Sequence, residues 1–287
     1  MGIHESTIQK TRKPKFSVLQ LLTHGILVLW AITNVFPFAW VVMNSFRTRQ
    51  YILTESFRFP TNPTLENYFN AFIKIDIWRA YANSFVVSTS VAALTVLLAG
   101  LAAFGLTRYI FRGHSILISV VYGCLMISVY STIIPVFSLL LKLNLINTLV
   151  GLILPVTAGS LAFAMVVLIA YMWGIPRDLE EAAFIDGCNV FQICFKIIFP
   201  LSRSAFATVA IFSFLWSYND LFTQLFILRQ KQTWTINRLL NEISSMYGTD
   251  YGLMAASITL VVIPVLIVYI FMQKHIIKGL TAGAIKG

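Results

Sequence analysis

Two groups of residues in this sequence carry polar chemistry where little is expected. The first is a run of carboxylates. Asp178, Glu180, Glu181 and Asp186 fall within nine positions and make up four of the eleven acidic residues in the chain. They lie in a polar stretch, residues 177–201, bounded on both sides by apolar runs. The second group sits inside apolar runs: Tyr130, Ser131 and Thr132 in one, and Trp216, Ser217, Tyr218, Asn219 and Asp220 in another. Carboxylates in the first turn of a helix are favoured by its dipole and build a charged, rigid face. Aromatic faces stack on C–H surfaces while Asn and Asp bond hydroxyls, so the second group suits a passage for sugar-like solutes. No Gly-x-x-x-x-Gly-Lys-Ser/Thr loop occurs, and no residue is read as catalytic. Cys124, Cys188 and Cys194 lack metal-ligand spacing, so neither a metal site nor a disulfide framework is expected.

The elements that must position these groups are membrane spans. Of 287 residues, 58% are hydrophobic and only 11% charged, against about 25% charged in a soluble domain. The mean hydropathy is +0.80. A soluble fold has no way to hide so much apolar surface, so the expected solvent is lipid. The net charge of +10 is read as basic residues beside anionic lipid rather than as a nucleic-acid footprint. About 20 helical residues cross the hydrocarbon core. On that rule six spans are expected: Val18 to Met43, Ser84 to Leu106, Ile116 to Leu141, Val150 to Trp173, Ser204 to Leu228, and Leu253 to Gln273. The first is read as a retained anchor, and the fourth as interrupted by Pro155 and Gly159.

The predicted chain is thus an all-α integral membrane protein in three parts. Residues 1–17 form a cytoplasmic N-terminal tail, residues 18–275 the transmembrane domain, and residues 276–287 a cytoplasmic C-terminal tail. Six spans put both termini on one side. The basic residues of the two short tails, among them Lys10, Arg12, Lys13 and Lys15, put that side in the cytoplasm, N-in and C-in. No internal repeat is visible, which argues against the repeat-built secondary transporters.

The stretch 177–201 reads as a helix, a Gly turn and a second helix. Asp178 is a candidate cap for the first helix, and Thr64 for a short helix on the outer side. Ala182, Ala183 and Gly187 are small residues at the spacing of one helical face, which permits close approach of another protein. Gly187 breaks the helix and Asn189 caps the next, which ends at Pro200. The competing reading is an amphipathic helix lying on the lipid surface. Such helices are rich in Lys and Arg, whereas this one is acidic in its first half and would be repelled by an anionic leaflet.

Glu181-Ala-Ala-Phe-Ile-Asp-Gly187, followed by Ile197-Ile-Phe-Pro-Leu201, resembles the EAA loop of permease subunits of binding-protein-dependent ABC importers. The Asp186-Gly187 pair has the form of the carbohydrate-uptake branch, with Cys188 where that branch usually has Ala. Leu143-Asn-Leu-Ile-Asn-Thr-Leu149 and Trp216-Ser-Tyr-Asn-Asp-Leu-Phe222 resemble two further family segments. The tail from Gln273 to Gly287 is similar to that of the maltose-type second permease.

That resemblance implies the type I importer permease fold. It also implies an ATPase-coupling role for Glu181, Ala182, Ala183, Asp186 and Gly187. The implied partners are a homologous second permease, a dimer of ATP-binding subunits, an extracellular solute-binding lipoprotein or periplasmic protein, and membrane lipid. No cofactor is expected on this chain; ATP and Mg would be used by the ATPase subunits. The expected place is the bacterial cytoplasmic membrane. Tyr130, Ser131, Trp216, Tyr218, Asn219 and Asp220 are the substrate-pathway candidates. For Ser131 and Thr132 the alternative is hydrogen-bonded glue between helices; for Asp220 it is a partner contact or gate. Another small polar cargo, such as glycerol phosphate, and a self-sufficient secondary transporter are the alternative functions.

Overall fold

The computed structural model describes residues 18–246 and 250–284. Among them every regular element is a helix. The first, α1 (Val18–Ser45), is apolar around its whole circumference and continues through Pro37. A helix apolar all round is matched to lipid on most of its surface. Two short helices, α2 (Arg49–Glu55) and α3 (Glu66–Ile75), follow it. In α3 the cap position is Leu65, one residue beyond the expected cap, yet the Thr64 hydroxyl does accept the Glu66 N–H at 3.1 Å.

The central element is α4 (Ile77–Arg108), which begins seven residues before the predicted span. It packs along α7 (Leu149–Trp173) and α10 (Arg203–Asn219). Small residues make this packing close. Ala99 and Ala103 of α4 are fully buried with Ala164 and Leu168 of α7 and Ala205 and Val209 of α10. Lipid tails are as apolar as leucine, so close backbone approach rather than burial from water drives such contacts. At Gly100 an added Cβ would lie 2.7 Å from the Phe206 ring, so a larger residue there would displace that ring from the α4–α10 contact.

The expected third span is two helices, α5 (His114–Cys124) and α6 (Val129–Lys142), bent by 103° between them. The run stays apolar through the break, so hydropathy does not mark it. The fourth is the reverse case. The helix α7 runs unbroken through Pro155, its seventh residue, and Gly159; membrane helices tolerate both residues because neighbouring helices and small local adjustments satisfy the freed backbone groups.

The polar stretch folds as α8 (Asp178–Ile185) and α9 (Val190–Leu201), and α9 meets α10 at a 78° bend. The expected fifth span ends at Asn219 and resumes as α11 (Leu221–Ile227). Helix α12 (Ile236–Met246) lies between that span and α13 (Tyr251–Ala284), against which α1 packs. The backbone of α13 stays helical to Ala284, beyond the expected end of the sixth span at Gln273. Residues 1–17, which carry the expected N-terminal tail, and residues 285–287 lie outside the described residues. Among the described residues three helices are long and apolar enough to cross a membrane alone, or up to five when each bent pair counts as one span.

Candidate functional site: the docking knob between α7 and α10

Local chemistry builds the knob. Helix α8 has Asp178, Glu180 and Glu181 in its first turn, beside its unpaired N–H groups. Asp178 is the first helical residue rather than the cap; Arg177 occupies the cap position and makes no side-chain cap bond. At the other end Gly187 has φ +83°, a left-handed conformation that suits glycine. Its N–H bonds the Phe184 carbonyl at 3.0 Å, and the Cys188 N–H bonds the Ala183 carbonyl at 2.9 Å. Those two bonds together form a Schellman cap. Asn189 then opens α9 with a full capping box: its side chain accepts the Gln192 N–H, and the Gln192 side chain accepts the Asn189 N–H, both at 2.9 Å. Two caps on three residues leave little freedom in the turn, so the knob is rigid. The middle of α9, Ile193–Ile198, is π-helical, just ahead of Pro200, which has no N–H to give.

Packing then decides which face looks out. Ala183, Ile193, Cys194 and Ile198 are buried in the same cluster as Ala103 and Met172. Burial raises the Cys194 thiol to about 11. Glu180 reaches Arg108 at the end of α4, with 2.6 Å between Nε and Oε1; the side chains are only 5% and 12% exposed. Arg108 also donates to the Ile175 carbonyl at 3.4 Å. Burial pushes the Glu180 carboxyl above the usual carboxylate range, with Arg108 and Arg177 pulling the other way. The knob is therefore pinned to α4 by charge and to α7 by apolar packing.

Glu181, Ala182, Asp186 and Gly187 remain exposed, while Ala183 does not. Beside them Ile185 is 87% and Phe191 74% exposed. A groove of about 1230 Å³ runs along this side, lined by Ala182, Asp186, Lys196 and Arg203 among others. Exposed large apolar side chains ringed by charge mark a surface for another protein. The Arg108–Glu180 pair is the element that sequence reasoning missed. Arg108 lies at the end of an apolar run and Glu180 in a separate polar stretch, and no spacing links two residues so far apart.

The structure distributes the six pathway candidates over several places. The Tyr130 ring packs edge-on to Phe222 of α11 at 4.6 Å, and Ser131 is exposed. Trp216 packs against Phe163 of α7 at 4.9 Å. Tyr218 is buried beside Phe214. Asn219 bonds the Leu215 carbonyl at 2.8 Å through its amide nitrogen and lines a cavity of about 470 Å³. Asp220 accepts the Thr223 N–H at 3.0 Å and so caps α11 at the break. Asn83 and Ser84 pin the segment before α12: Asn83 donates to the Trp234 carbonyl at 2.9 Å, and the Ser84 hydroxyl accepts the Ile236 N–H at 2.8 Å. No group of three or more His, Cys, Asp or Glu side chains able to hold a metal occurs among the described residues.

Comparison with known proteins places this arrangement. The chain is 33% identical over 267 residues to the diacetylchitobiose uptake system permease protein NgcG of Streptomyces coelicolor, covering 92% of this chain and 88% of that one. It is 30% identical over 278 residues to the arabinooligosaccharides transport system permease protein AraQ of Bacillus subtilis, covering 96% and 98%. Its fold matches a chain of a bacterial ABC transporter involved in the import of the acidic polysaccharide alginate, with a TM-score of 0.80, 21% identity, and coverage of 91% of this chain and 99% of that one. The family model for the binding-protein-dependent transport system inner membrane component matches residues 96–282, a range that holds the whole docking knob, and the chain belongs to that family.

Proposed function

We propose that this chain is one permease subunit of an ATP-driven importer for a sugar or oligosaccharide. The observation that carries the reading is the doubly capped knob of α8 and α9, pinned to α4 and α7 and presenting Glu181, Ala182, Asp186 and Gly187 outward. A rigid knob transmits a partner's movement to the spans behind it, whereas a flexible loop absorbs it. In this reading Glu181 and Asp186 make polar contacts with an ATP-binding subunit, Ala182 permits close approach, Gly187 holds the turn, and Ala183 packs the knob onto the bundle. ATP and Mg are used by that separate subunit.

The topology proposed is six spans, N-in and C-in, in a bacterial cytoplasmic membrane. The bent α5–α6 pair supplies the third span, α10 with α11 the fifth, and α13 the sixth. A second permease supplies the other knob for a dimer of ATP-binding subunits, and a solute-binding protein delivers the cargo. The diacetylchitobiose and arabinooligosaccharide systems to which NgcG and AraQ belong support a carbohydrate cargo. Tyr130, Ser131, Trp216, Tyr218, Asn219 and Asp220 remain the proposed passage residues. The test is uptake into proteoliposomes. The chain alone should import nothing, and addition of the second permease, the ATPase, the binding protein and ATP should start import of diacetylchitobiose or an arabinooligosaccharide. Import by the chain alone would overturn the reading in favour of a self-sufficient transporter.

A further inference from the structure

The cavity beside Asn219 collects three carboxamides from separate parts of the chain. Asn219 ends α10, and Asn237 and Asn241 stand one turn apart on α12. The cavity holds about 470 Å³, inside the roughly 300–1,000 Å³ span of small-molecule sites. Its remaining wall is apolar, with Leu240 from α12 and Met254 and Ile258 from α13.

Two of the amides are already oriented. The Asn219 amide nitrogen donates to the Leu215 carbonyl at 2.8 Å, and that of Asn237 to the Tyr218 carbonyl. Each anchor uses one N–H and leaves the amide oxygen and the second N–H for a ligand. Asn241 is exposed. Three carboxamides on a lipid-facing surface would be costly, so a water-filled passage or an outer vestibule is the setting that suits them. Neutral amides bond hydroxyls as donor and acceptor at once, and an apolar wall suits the C–H face of a sugar ring. Among the described residues no lysine, arginine, aspartate or glutamate lines the cavity, so its described wall does not select a charged solute.

We propose that Asn219, Asn237 and Asn241 form a hydroxyl-binding subsite for a neutral sugar unit at the broken end of α10. The subsite rests on the carbohydrate reading of the importer. Its position where α10 stops and α11 starts lets movement of the knob reshape it, because α10 joins the knob directly at Ser202.

The experiment uses the complete importer in proteoliposomes, with diacetylchitobiose and arabinotriose as probes. Asn241→Leu keeps the side-chain size and breaks no hydrogen bond among the described residues; Asn237→Leu also removes the bond to the Tyr218 carbonyl. Assembly of each variant is checked by size-exclusion chromatography. Loss of a directed hydrogen bond predicts about a tenfold rise in the sugar concentration for half-maximal uptake in Asn241→Leu. Asn241→Gln, which keeps the amide, should recover part of it. An assembled Asn241→Leu importer with wild-type uptake of both sugars overturns the subsite while leaving the importer reading intact. Failure of the wild-type complex to import either sugar overturns the carbohydrate reading and the subsite with it.

Discussion

The Arg108 guanidinium and the Glu180 carboxylate meet at 2.6 Å, almost out of contact with solvent, and join the C-terminal end of α4 to the first turn of α8. Because α4 is the helix on which α7 and α10 pack, a force on α8 reaches the centre of the bundle through this pair. Desolvating two charges offsets much of their attraction, so the pair contributes position rather than net stability.

Reversing one charge is a different matter, since it buries two like charges together and costs at least as much as removing one partner. Arg108→Glu and Glu180→Arg should each destabilise the assembled protein by about 3–5 kcal/mol. The double exchange should recover part of the loss. Thermal unfolding of the three variants in detergent checks this, and additive losses in the double variant would mean that the two residues do not act as a pair.

Gly187→Val places a β-branched residue at φ +83°. The strain is about 1–3 kcal/mol, and its local cost falls on the turn rather than on the spans. Insertion and assembly should persist while sugar uptake per ATP hydrolysed falls severalfold. Unchanged uptake per ATP in proteoliposomes would remove the turn from the coupling path.

Ala182 and Ala183 are neighbours with opposite surroundings: the first is exposed and the second 6% exposed in the core. Ala183→Leu overpacks that core and should cost about 1–3 kcal/mol of stability. Ala182→Leu should leave stability within about 0.5 kcal/mol yet weaken co-purification with the ATP-binding subunit. Equal stability losses in both would contradict the orientation of α8.

Cys194 is 2% exposed and its thiol is raised to about 11. A thiol releases its proton only near its pKa, so the reactive thiolate is scarce at neutral pH and grows as pH rises toward that value. At pH 7.5 Cys194 should alkylate at least about a hundredfold more slowly than an unperturbed thiol. Peptide-resolved iodoacetamide labelling in native membranes measures the rate; labelling as fast as a free thiol would show that α9 lifts off the bundle.

Membrane character, an all-helical chain and the helix–turn–helix form of residues 177–201 were legible in the residues because each has a local cause. Long apolar runs report the solvent. Gly187 and Asn189 announce a turn and a cap through their own backbone and side-chain chemistry, and both hold in the structure. Where a signal was local but had more than one structural outcome, the reading went astray. Pro155 did not interrupt α7, Asp178 did not cap α8, and the apolar run after His114 bent by 103° with no change in hydropathy. The cap that Asp220 makes at the break before α11 was a further outcome the apolar run did not announce, and it leaves the passage role of Asp220 a proposal.

The sequence by itself determined that this chain lives in lipid, is helical, and carries a small-residue acidic knob with a glycine turn. These follow from hydropathy, backbone freedom and capping chemistry, all of which act over a few residues. Only the tertiary structure decided that Glu180, not Glu181, is the buried acid, that Ala183 turns inward while Ala182 faces out, and that Asn219 shares a cavity with Asn237 and Asn241. The physical reason is the same in each case. Facing and burial depend on which distant helix lies alongside, and that is set by the close packing of α4, α7 and α10 rather than by any residue's neighbours in the chain.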